Sequence, residues 1–369
     1  MQKGLLIFQF SLSLVIIIFL SAYYQQFTYA ETLDPGFTSK NILTIPIAGD
    51  DEVFANEVSR VNGVEMISRV SEGFGLRGSG SIQVFKQKPT NEQGILCQYY
   101  FTDASTIPMH KLHIVAGSNF PDKEPTQKEQ FVVMNEKAAN ALGFVKPDAA
   151  VNKTVWLNDS TQVIVLGVVK NFYDQGALRN VNPLVFRSRA GGFNYLNIFV
   201  GAASKEKVIQ GISSVWEKIN PHTPFEYEWL EKKIADREDQ RETYTTLGFL
   251  AFISISIASL GLLGLVVYTV ETRQKEIGIR KIIGANVKQL LVLLSKGFLK
   301  LLLVAGLIAM PVGYIVSFMF LQNFANRVSF GIGSLLFCFM FLLLIGLTTI
   351  LVNTYRAATA NPVKSLRNE

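Results

Sequence analysis

The chain has 369 residues, of which 49% are hydrophobic and only 17% are charged, with a formal net charge of +6. Soluble domains carry closer to a quarter of charged residues, so this composition excludes an entirely soluble protein. The apolar excess lies in four blocks without any charge: Gly4–Ala30, Leu247–Val270, Leu301–Asn326 and Val328–Tyr355. Each exceeds the roughly 20 apolar residues that cross a bilayer, which predicts four transmembrane α-helices.

The first block, residues 1–30, has two interpretations. Lys3 followed by an apolar stretch and Ala30 is also the pattern of a cleaved signal peptide. However, Leu5–Tyr23 is long for the apolar part of a signal peptide, and Thr28-Tyr29-Ala30 is a poor cleavage site. We therefore predict a retained first transmembrane helix.

Residues 31–229 predict a folded α+β domain. Asn41–Ile47 alternates as a strand does, and Asp50 is a candidate N-cap for a helix that reaches Val61. Asn135 is expected to cap a second helix, which Gly143 ends, and Val163–Val169 has the continuous apolar character of a buried strand. No residue in this domain marks a ligand pocket.

Enzymatic motifs are missing from the sequence. No P-loop occurs, the glycine-rich Gly73–Gly80 is expected to be a flexible surface loop, and His110 and His113 lack a third ligand for zinc. We therefore expect no catalytic residue, no cofactor and no metal in this chain.

Residues 230–246 are polar and favour a helix, without proline or glycine before Gly248. They predict a stalk helix that continues into the second membrane span. The alternative is a short helix followed by a break at Gly248.

Charge sets the predicted orientation. Glu271–Lys300 has seven basic residues and two acidic ones, whereas residues 31–246 have 23 basic and 26 acidic residues. Basic loops stay on the cytoplasmic side, so both termini and residues 271–300 are expected inside and residues 31–246 outside. The only charge between the last two apolar blocks is Arg327, which predicts an external turn.

The apolar blocks contain no Asp, Glu, Lys, Arg or His, which argues against a carrier driven by its own buried charges and against a hydrated pore. They do contain small residues that allow close helix packing. These are Ser254, Ser256, Ala258, Gly261, Gly264, Gly306, Ala309 and Gly313.

The segment after the second block, ETRQKEIGIRKIIGA (residues 271–285), alternates charges with isoleucines. It predicts either a short helix along the membrane surface or a generic basic loop that binds anionic lipid. Physical arguments alone do not separate the two.

This segment resembles the loop after the second span of FtsX/MacB-type ABC permeases, E-R-x-x-E-I-G-I-R-K-A-L-G-A. The tail, with Arg356-Ala357-Ala358 and Pro362-Val363, is similar to the family's ending R-A-A-x-x-x-P-V-x-x-L-R. Val133–Ala139 and Gly167–Phe172 are similar to stretches of the MacB-like periplasmic domain. Unlike MacB itself, this sequence contains no fused ATPase domain. Its opening, residues 1–11, looks like the opening of the second half of an eight-span relative, so a four-span subunit and one half of an eight-span permease both stay open.

The resemblance implies a bacterial inner-membrane permease subunit with four transmembrane helices and a large α+β extracytoplasmic domain between helices 1 and 2. ATP hydrolysis is expected on a separate cytoplasmic ATPase that docks on a coupling helix, whose motion is transmitted outward for export or extraction of a substrate. A second permease subunit or half, membrane lipid, and a periplasmic adaptor or substrate protein are the other implied partners; nucleic acid is not. The partner-binding residues implied are Glu276, Ile277, Gly278, Ile279, Arg280, Lys281, Ile282, Ile283, Gly284 and Ala285.

Two other functions stay open. An FtsX-like regulator would share the ATPase but pass motion to an extracytoplasmic enzyme, and a membrane sensor would have no ATPase at all. The expected organisation is the same for each: residues 1–30, 31–229, 230–246, 247–270, 271–300 with the start of the third helix, 301–326, 327–355 with the external turn, and the tail 356–369.

Overall fold

The computed structural model describes residues 2–48, 51–75, 78–88, 94–122, 128–158, 161–201, 204–273, 276, 279–280, 283 and 286–359. Its helices are α1 (Gln2–Thr32), α2 (Glu52–Ser59), α3 (Thr106–Met109), α4 (Glu136–Ala141), α5 (Lys205–Ile219), α6 (Leu230–Glu238), α7 (Arg241–Thr272), α8 (Val287–Leu321) and α9 (Ile332–Thr359). Its strands are β1 (Ile42–Pro46), β2 (Val64–Val70), β3 (Gly80–Phe85), β4 (Ile95–Phe101), β5 (Ile114–Gly117), β6 (Phe131–Asn135), β7 (Thr154–Leu157), β8 (Thr161–Val169), β9 (Leu184–Arg187), β10 (Tyr195–Val200) and β11 (Glu228–Trp229).

The chain forms two compact units, a helical unit of residues 1–32 and 240–369 and a soluble unit of residues 33–239. Within the described residues, four helical stretches are long and apolar enough to cross a membrane, and they correspond to α1, α7, α8 and α9. The four predicted spans are thus confirmed as long apolar helices, which are candidate membrane spans.

Helix α1 is the centre of the helical unit, because it packs on α7, α8 and α9. One stripe of α1, with a residue at every fourth position, is almost completely buried; it consists of Leu6, Phe10, Leu14, Ile18 and Ala22. Residues four apart lie on one face of a helix, so a single continuous face of α1 holds the bundle together.

Small residues allow the close packing that the sequence predicted, but not at every position. Ala258 and Ala309 are buried, and Gly313 lies directly against Ile18 of α1. In contrast, Ser256 is only half-buried, and nothing lies within 4 Å of a Cβ placed on Gly264. The close contacts therefore follow the face that meets α1 and α9, which apolar composition alone does not identify.

The soluble unit contains two sheets. The smaller sheet is antiparallel with the order β11-β1-β10-β2, and one of its faces packs on α2 and α5. The larger sheet has the order β5-β8-β6-β9-β4-β3-β7 and is mixed, because β6–β8 and β4–β9 pair in parallel. Apolar residues of its strands, together with Ala138 and Leu142, form the second core.

Most predicted elements of this unit are confirmed, with one corrected cap. The carboxylate of Asp51 accepts from the backbone N–H of Phe54 at 2.9 Å, so Asp51 is the N-cap of α2. The predicted cap Asp50 lies outside the described residues. Asn135 caps α4 as expected, and Gly143 has the positive φ of +80° that ends this helix.

The predicted continuous stalk helix is interrupted. Helix α6 ends at Glu238, Asp239 has extended backbone angles, and α7 begins at Arg241. Gly248, the alternative break, lies inside α7. Helix α6 is also packed on the soluble unit rather than standing free, because Leu230 is completely buried with Ile42 and Met109. Residues 230–246 are therefore helical as predicted, except for the break at Asp239 and Gln240.

The predicted flexible surface loop is anchored instead. Phe74 is completely buried in a cluster of aromatic rings, with its ring stacked on that of His110 at 4.1 Å. Leu76 and Arg77 of the same stretch lie outside the described residues. Glycines around Phe74 allow the chain to turn while the side chain enters the core.

Candidate functional site

The predicted coupling segment follows the C-terminus of α7. Arg273 caps this helix through its backbone N–H, which donates to carbonyl groups of the last turn. Of the ten candidate residues, Glu276, Ile279, Arg280 and Ile283 are described. Those outside the described residues are Ile277, Gly278, Lys281, Ile282, Gly284 and Ala285.

The four described candidates have local helical features. Glu276, Ile279 and Arg280 have helical backbone, and the N–H of Ile283 donates to the carbonyl of Ile279 at 3.0 Å. The guanidinium of Arg280 donates to the carboxylate of Glu276 at 2.8 Å, one helical turn away. Such an i,i+4 pair supports a short surface helix by a few tenths of a kcal/mol.

Apolar side chains of this segment face solvent. Ile279 is 53% exposed and Ile283 is 79% exposed, beside the half-exposed Glu276–Arg280 pair. An exposed isoleucine within a charged surface is a favourable contact for a partner protein or a membrane interface. The described residues of the segment can therefore bind a surface with an apolar groove.

The segment ends where α8 begins. Asn286 and Gln289 form a capping box, in which the N–H of Asn286 donates to the side-chain oxygen of Gln289 at 3.2 Å. This box fixes the first turn of α8 and satisfies backbone donors that a helix start leaves without partners. The segment is thus held at both ends by long helices of the bundle.

A second group of residues, which the sequence analysis missed, lies near the end of α1 that leads toward residue 33. Gln26 is completely buried and its amide donates to the carbonyl of Asn326 at 2.7 Å. Its oxygen accepts from the N–H of Val328 at 2.9 Å. Gln26 therefore binds α1 to the backbone of the turn between α8 and α9. An adjacent pair of amides, Gln25-Gln26, inside an apolar block was the available signal.

Aromatic side chains surround this contact. The hydroxyl of Tyr23 donates to the side chain of Gln240 at 2.7 Å, and its ring meets those of Tyr244 and Phe320. Phe27 meets Phe324 at a centroid distance of 5.9 Å. We call Tyr23, Phe27, Tyr244, Phe320 and Phe324 the aromatic collar. It connects the same end of α1 to α7 and α8.

The soluble unit contains a cavity that the sequence did not mark. Its volume is about 600 Å³, and it is lined by residues of β1, β10 and β11 in the smaller sheet and of α6. Glu226 and Lys232 face this cavity, as do Glu228 and Lys233, whose charged atoms lie 3.6 Å apart. Its remaining lining residues are Thr44, Pro46, Tyr195, Tyr227 and Trp229.

Buried titratable groups lie near Phe74. Burial raises the pKa of Asp174 to about 6, and Arg237 partly offsets this effect. Burial lowers the pKa of His110 to about 4, although its bond to the carbonyl of Thr38 opposes the shift. His113 does not join His110 in a metal site, and the described residues contain no group of three or more His, Cys, Asp or Glu side chains suited to hold a metal ion.

Comparison with known proteins agrees with this architecture. The family model of the MacB-like periplasmic core domain matches residues 10–214, and that of the FtsX-like permease C-terminal domain matches residues 248–362. The chain therefore belongs to the MacB/FtsX-type family of ABC transporter permeases.

Three relatives show how far the likeness extends. The ABC transporter permease YknZ of Bacillus subtilis is 24% identical over 71% of this chain and 67% of its own length. YvrN of the same organism, also an ABC transporter permease, is 23% identical over 74% of this chain and 70% of its own length. An export ATP-binding/permease protein of Pseudomonas fluorescens is 22% identical over 70% of this chain but only 41% of its own length, so this chain matches less than half of that relative.

Solved structures give weaker matches. The periplasmic region of MacB from Actinobacillus actinomycetemcomitans is 12% identical, with a TM-score of 0.40 over 55% of this chain and 94% of that one. The extracellular domain of the transporter YknZ is 13% identical, with a TM-score of 0.37 over 51% of this chain and 97% of that one. These scores are low, so the family assignment rests on the sequence matches.

Proposed function

We propose that this chain is the permease subunit of an ABC transporter, and that it transmits ATP-driven motion from a separate cytoplasmic ATPase to its soluble unit. The observation that carries this proposal is the exposed pair Ile279 and Ile283 beside the Glu276–Arg280 ion pair, between α7 and α8. Membership of the family implies an ATPase partner. Residues 276–285 form its docking site.

In this mechanism, the isoleucines of the segment enter an apolar groove of the ATPase, and Arg280 pairs with its acidic side chains. Burial of apolar surface contributes about 25 cal/mol of binding free energy per Å², so burial of two isoleucine side chains contributes several kcal/mol. Since α7 ends at this segment and α8 begins after it, a shift of the ATPase moves both helices. The work is done outside the membrane, on a substrate that is exported or extracted.

The proposed orientation follows from charge. The segment 271–300 and both termini lie in the cytoplasm, and the soluble unit, inserted between α1 and α7 in the chain, lies outside. Cysteines introduced at Lys170 and Ile283, labelled in intact cells, test this arrangement. Labelling of both positions from the same side of the membrane would refute the docking role.

Pairing with a second permease subunit or half completes the proposed transporter, with membrane lipid around it and a periplasmic adaptor or substrate protein as a further partner. The described spans support transmission rather than a hydrated path, because α7 and α8 contain no Asp, Glu, Lys, Arg or His between Leu247 and Val270 or between Leu301 and Leu321.

The decisive experiment is copurification of the ATPase with variants of the segment. Ile279→Asp with Ile283→Asp is expected to abolish copurification while membrane insertion is unchanged, and the same is expected for Ile282→Asp and Gly278→Pro at positions outside the described residues. Arg280→Glu is expected to weaken binding, whereas Lys296→Glu, an exposed basic residue on α8, is the matched control. Normal complex formation in the double isoleucine variant would overturn the proposal.

An FtsX-like regulator is the second candidate, since the FtsX-like permease C-terminal domain covers residues 248–362. It shares the docking site and differs in the receiver of the motion. Copurification of a cell-wall hydrolase with the soluble unit, in place of an adaptor or cargo protein, would favour this candidate.

A further inference from the structure

Gln26 is unusual for a residue in a membrane-spanning helix. Its side chain is completely buried, yet both of its amide atoms have backbone partners, the carbonyl of Asn326 at 2.7 Å and the N–H of Val328 at 2.9 Å. Buried amides are costly unless fully hydrogen-bonded, and here one side chain satisfies two backbone groups of the turn between α8 and α9. We call this contact the turn clamp.

The turn clamp lies on a direct mechanical route. The coupling segment is followed directly by Asn286, the N-cap of α8; α8 runs from Val287 to Leu321, and the clamped turn follows α8. Any displacement of α8 along its axis therefore reaches the turn, where Gln26 passes it to α1. Since α1 precedes residue 33, the displaced helix is one of the two that lead into the soluble unit.

The aromatic collar ties the other connection to the same point. Tyr23 lies one helical turn before Gln26, donates to Gln240 at 2.7 Å and stacks on Phe320. Gln240 is the residue that precedes α7. Helices α1, α7 and α8 are therefore joined at one end of the bundle by contacts between Tyr23, Gln26 and their partners.

We propose that Gln26 is a positioning residue that couples movement of the α8–α9 hairpin to α1, so that both connections to the soluble unit move together. The inference rests on the function proposed above. Without the turn clamp, α8 can shift against α1, and the motion started at the coupling segment is lost before it leaves the bundle. The ATPase would still bind and hydrolyse ATP.

The test replaces Gln26 by methionine, which has a similar length and volume but cannot form either hydrogen bond. Gln25→Met is the matched control, because among the described residues the Gln25 amide bonds to the side chains of Ser21 and of Ser334 in α9, and to no backbone group of the turn. The full chain is reconstituted with its ATPase, and fluorophores are attached at Val145→Cys and Gln322→Cys. Two quantities are measured, the rate of ATP hydrolysis and the ATP-driven change in energy transfer between the labels.

The measured ratio is the change in energy transfer per hydrolysed ATP. We expect this ratio to fall by about tenfold or more in Gln26→Met, because two buried hydrogen bonds are lost. Hydrolysis and ATPase copurification stay normal, and Gln25→Met behaves as the parent protein does. A purely structural role would lower the yield or thermal stability but leave this ratio unchanged, which overturns the inference. An equal response of both variants overturns it as well.

The outcome for the proposed function is read separately from the parent protein. If the parent binds no ATPase and shows no ATP-driven change, the proposed function fails and the inference fails with it. If the parent responds and Gln26→Met also responds fully, only the turn clamp is refuted. If Gln26→Met fails to insert, Val328→Pro is used instead, because it removes the N–H donor on the other side of the contact. A lower change in energy transfer per hydrolysed ATP in Val328→Pro then supports the turn clamp, and a value equal to that of the parent protein refutes it.

Discussion

An ion pair in the soluble unit gives a sharp prediction on stability. Glu129 accepts two hydrogen bonds from the guanidinium of Arg187, at 2.9 and 2.7 Å, and its side chain is only 4% exposed. The guanidinium of Arg187 lies over the rings of Tyr99 and Phe101, with its central carbon within 4.8 Å of each centroid. Replacing Glu129 by alanine leaves a guanidinium buried among aromatic rings.

The expected loss is large because of burial. Removing one partner of a buried ion pair costs about 3–5 kcal/mol, since the remaining charge has neither solvent nor partner. Arg189 adds a second, longer contact to Glu129 at 3.9 Å, but this arginine is 43% exposed and can turn to solvent. We therefore expect Glu129→Ala to lower the free energy of unfolding of the soluble unit by about 3–5 kcal/mol.

The control is an ion pair of the same length on the surface. Glu57 and Arg60 also approach to 2.7 Å, but their side chains are 47% and 74% exposed. Exposed pairs contribute only about 0–1 kcal/mol, so Glu57→Ala is expected to change little. Since both ion pairs have the same 2.7 Å contact, a difference between the two variants reports the effect of burial alone.

The full chain offers a selective assay. All three tryptophans, Trp156, Trp216 and Trp229, lie in the soluble unit, so urea unfolding followed by tryptophan fluorescence reports on that unit alone. Equal midpoints for Glu129→Ala and Glu57→Ala would refute the reasoning. The double variant Glu129→Met with Arg187→Met should recover most of the loss, because apolar replacement of both partners removes the unpaired charge.

Three further predictions concern other residues. Burial raises the pKa of Asp174 to about 6, above its value of 3.8 in the unfolded chain. This group therefore stabilises the soluble unit below about pH 4, and its contribution is lost as the pH rises through 6. Asp174→Asn should raise the urea midpoint at pH 7.5 and leave it unchanged at pH 4. His110 has the opposite pH dependence, since its pKa is lowered to about 4 in the folded protein and the fold loses stability as the pH falls below 6.5. In urea unfolding followed by tryptophan fluorescence, His110→Phe should therefore lose less stability than the parent protein between pH 6.5 and 4. In α8, Gly313→Ala places a methyl group 2.8 Å from Ile18 and should cost about 1–3 kcal/mol in detergent-solubilised protein, whereas Gly297→Ala, with open space around it, should be neutral or slightly stabilising; equal melting temperatures would contradict this packing of α1 on α8.

The sequence was most informative about elements that depend on local pattern. Long charge-free stretches predicted four membrane helices, because the hydrocarbon core imposes length and composition on each span independently of its neighbours. Asn135 and Gly143 marked the two ends of α4, since capping is a local property of the backbone. The family resemblance in residues 271–285 led to the same assignment as the comparisons.

Features that depend on tertiary contacts were not predictable. The helix breaks at Asp239, although residues 230–246 favour one continuous helix, and Leu230 of α6 is buried in the soluble unit. Phe74 enters a distant aromatic cluster from a glycine-rich stretch that reads as solvent-exposed. Gln26 finds its partners 300 residues away in the chain, and no local pattern specifies such a contact. The docking role of the candidate segment stays a prediction.

The two cysteines have a practical consequence. Cys97 and Cys338 are both buried, and burial raises the pKa of Cys97 to about 12, so almost none of it is the reactive thiolate at neutral pH. Maleimide probes should therefore not react with the native thiols of the folded protein, but only with cysteines that are introduced at the surface. The parent chain can serve as its own unlabelled blank, without first removing either residue.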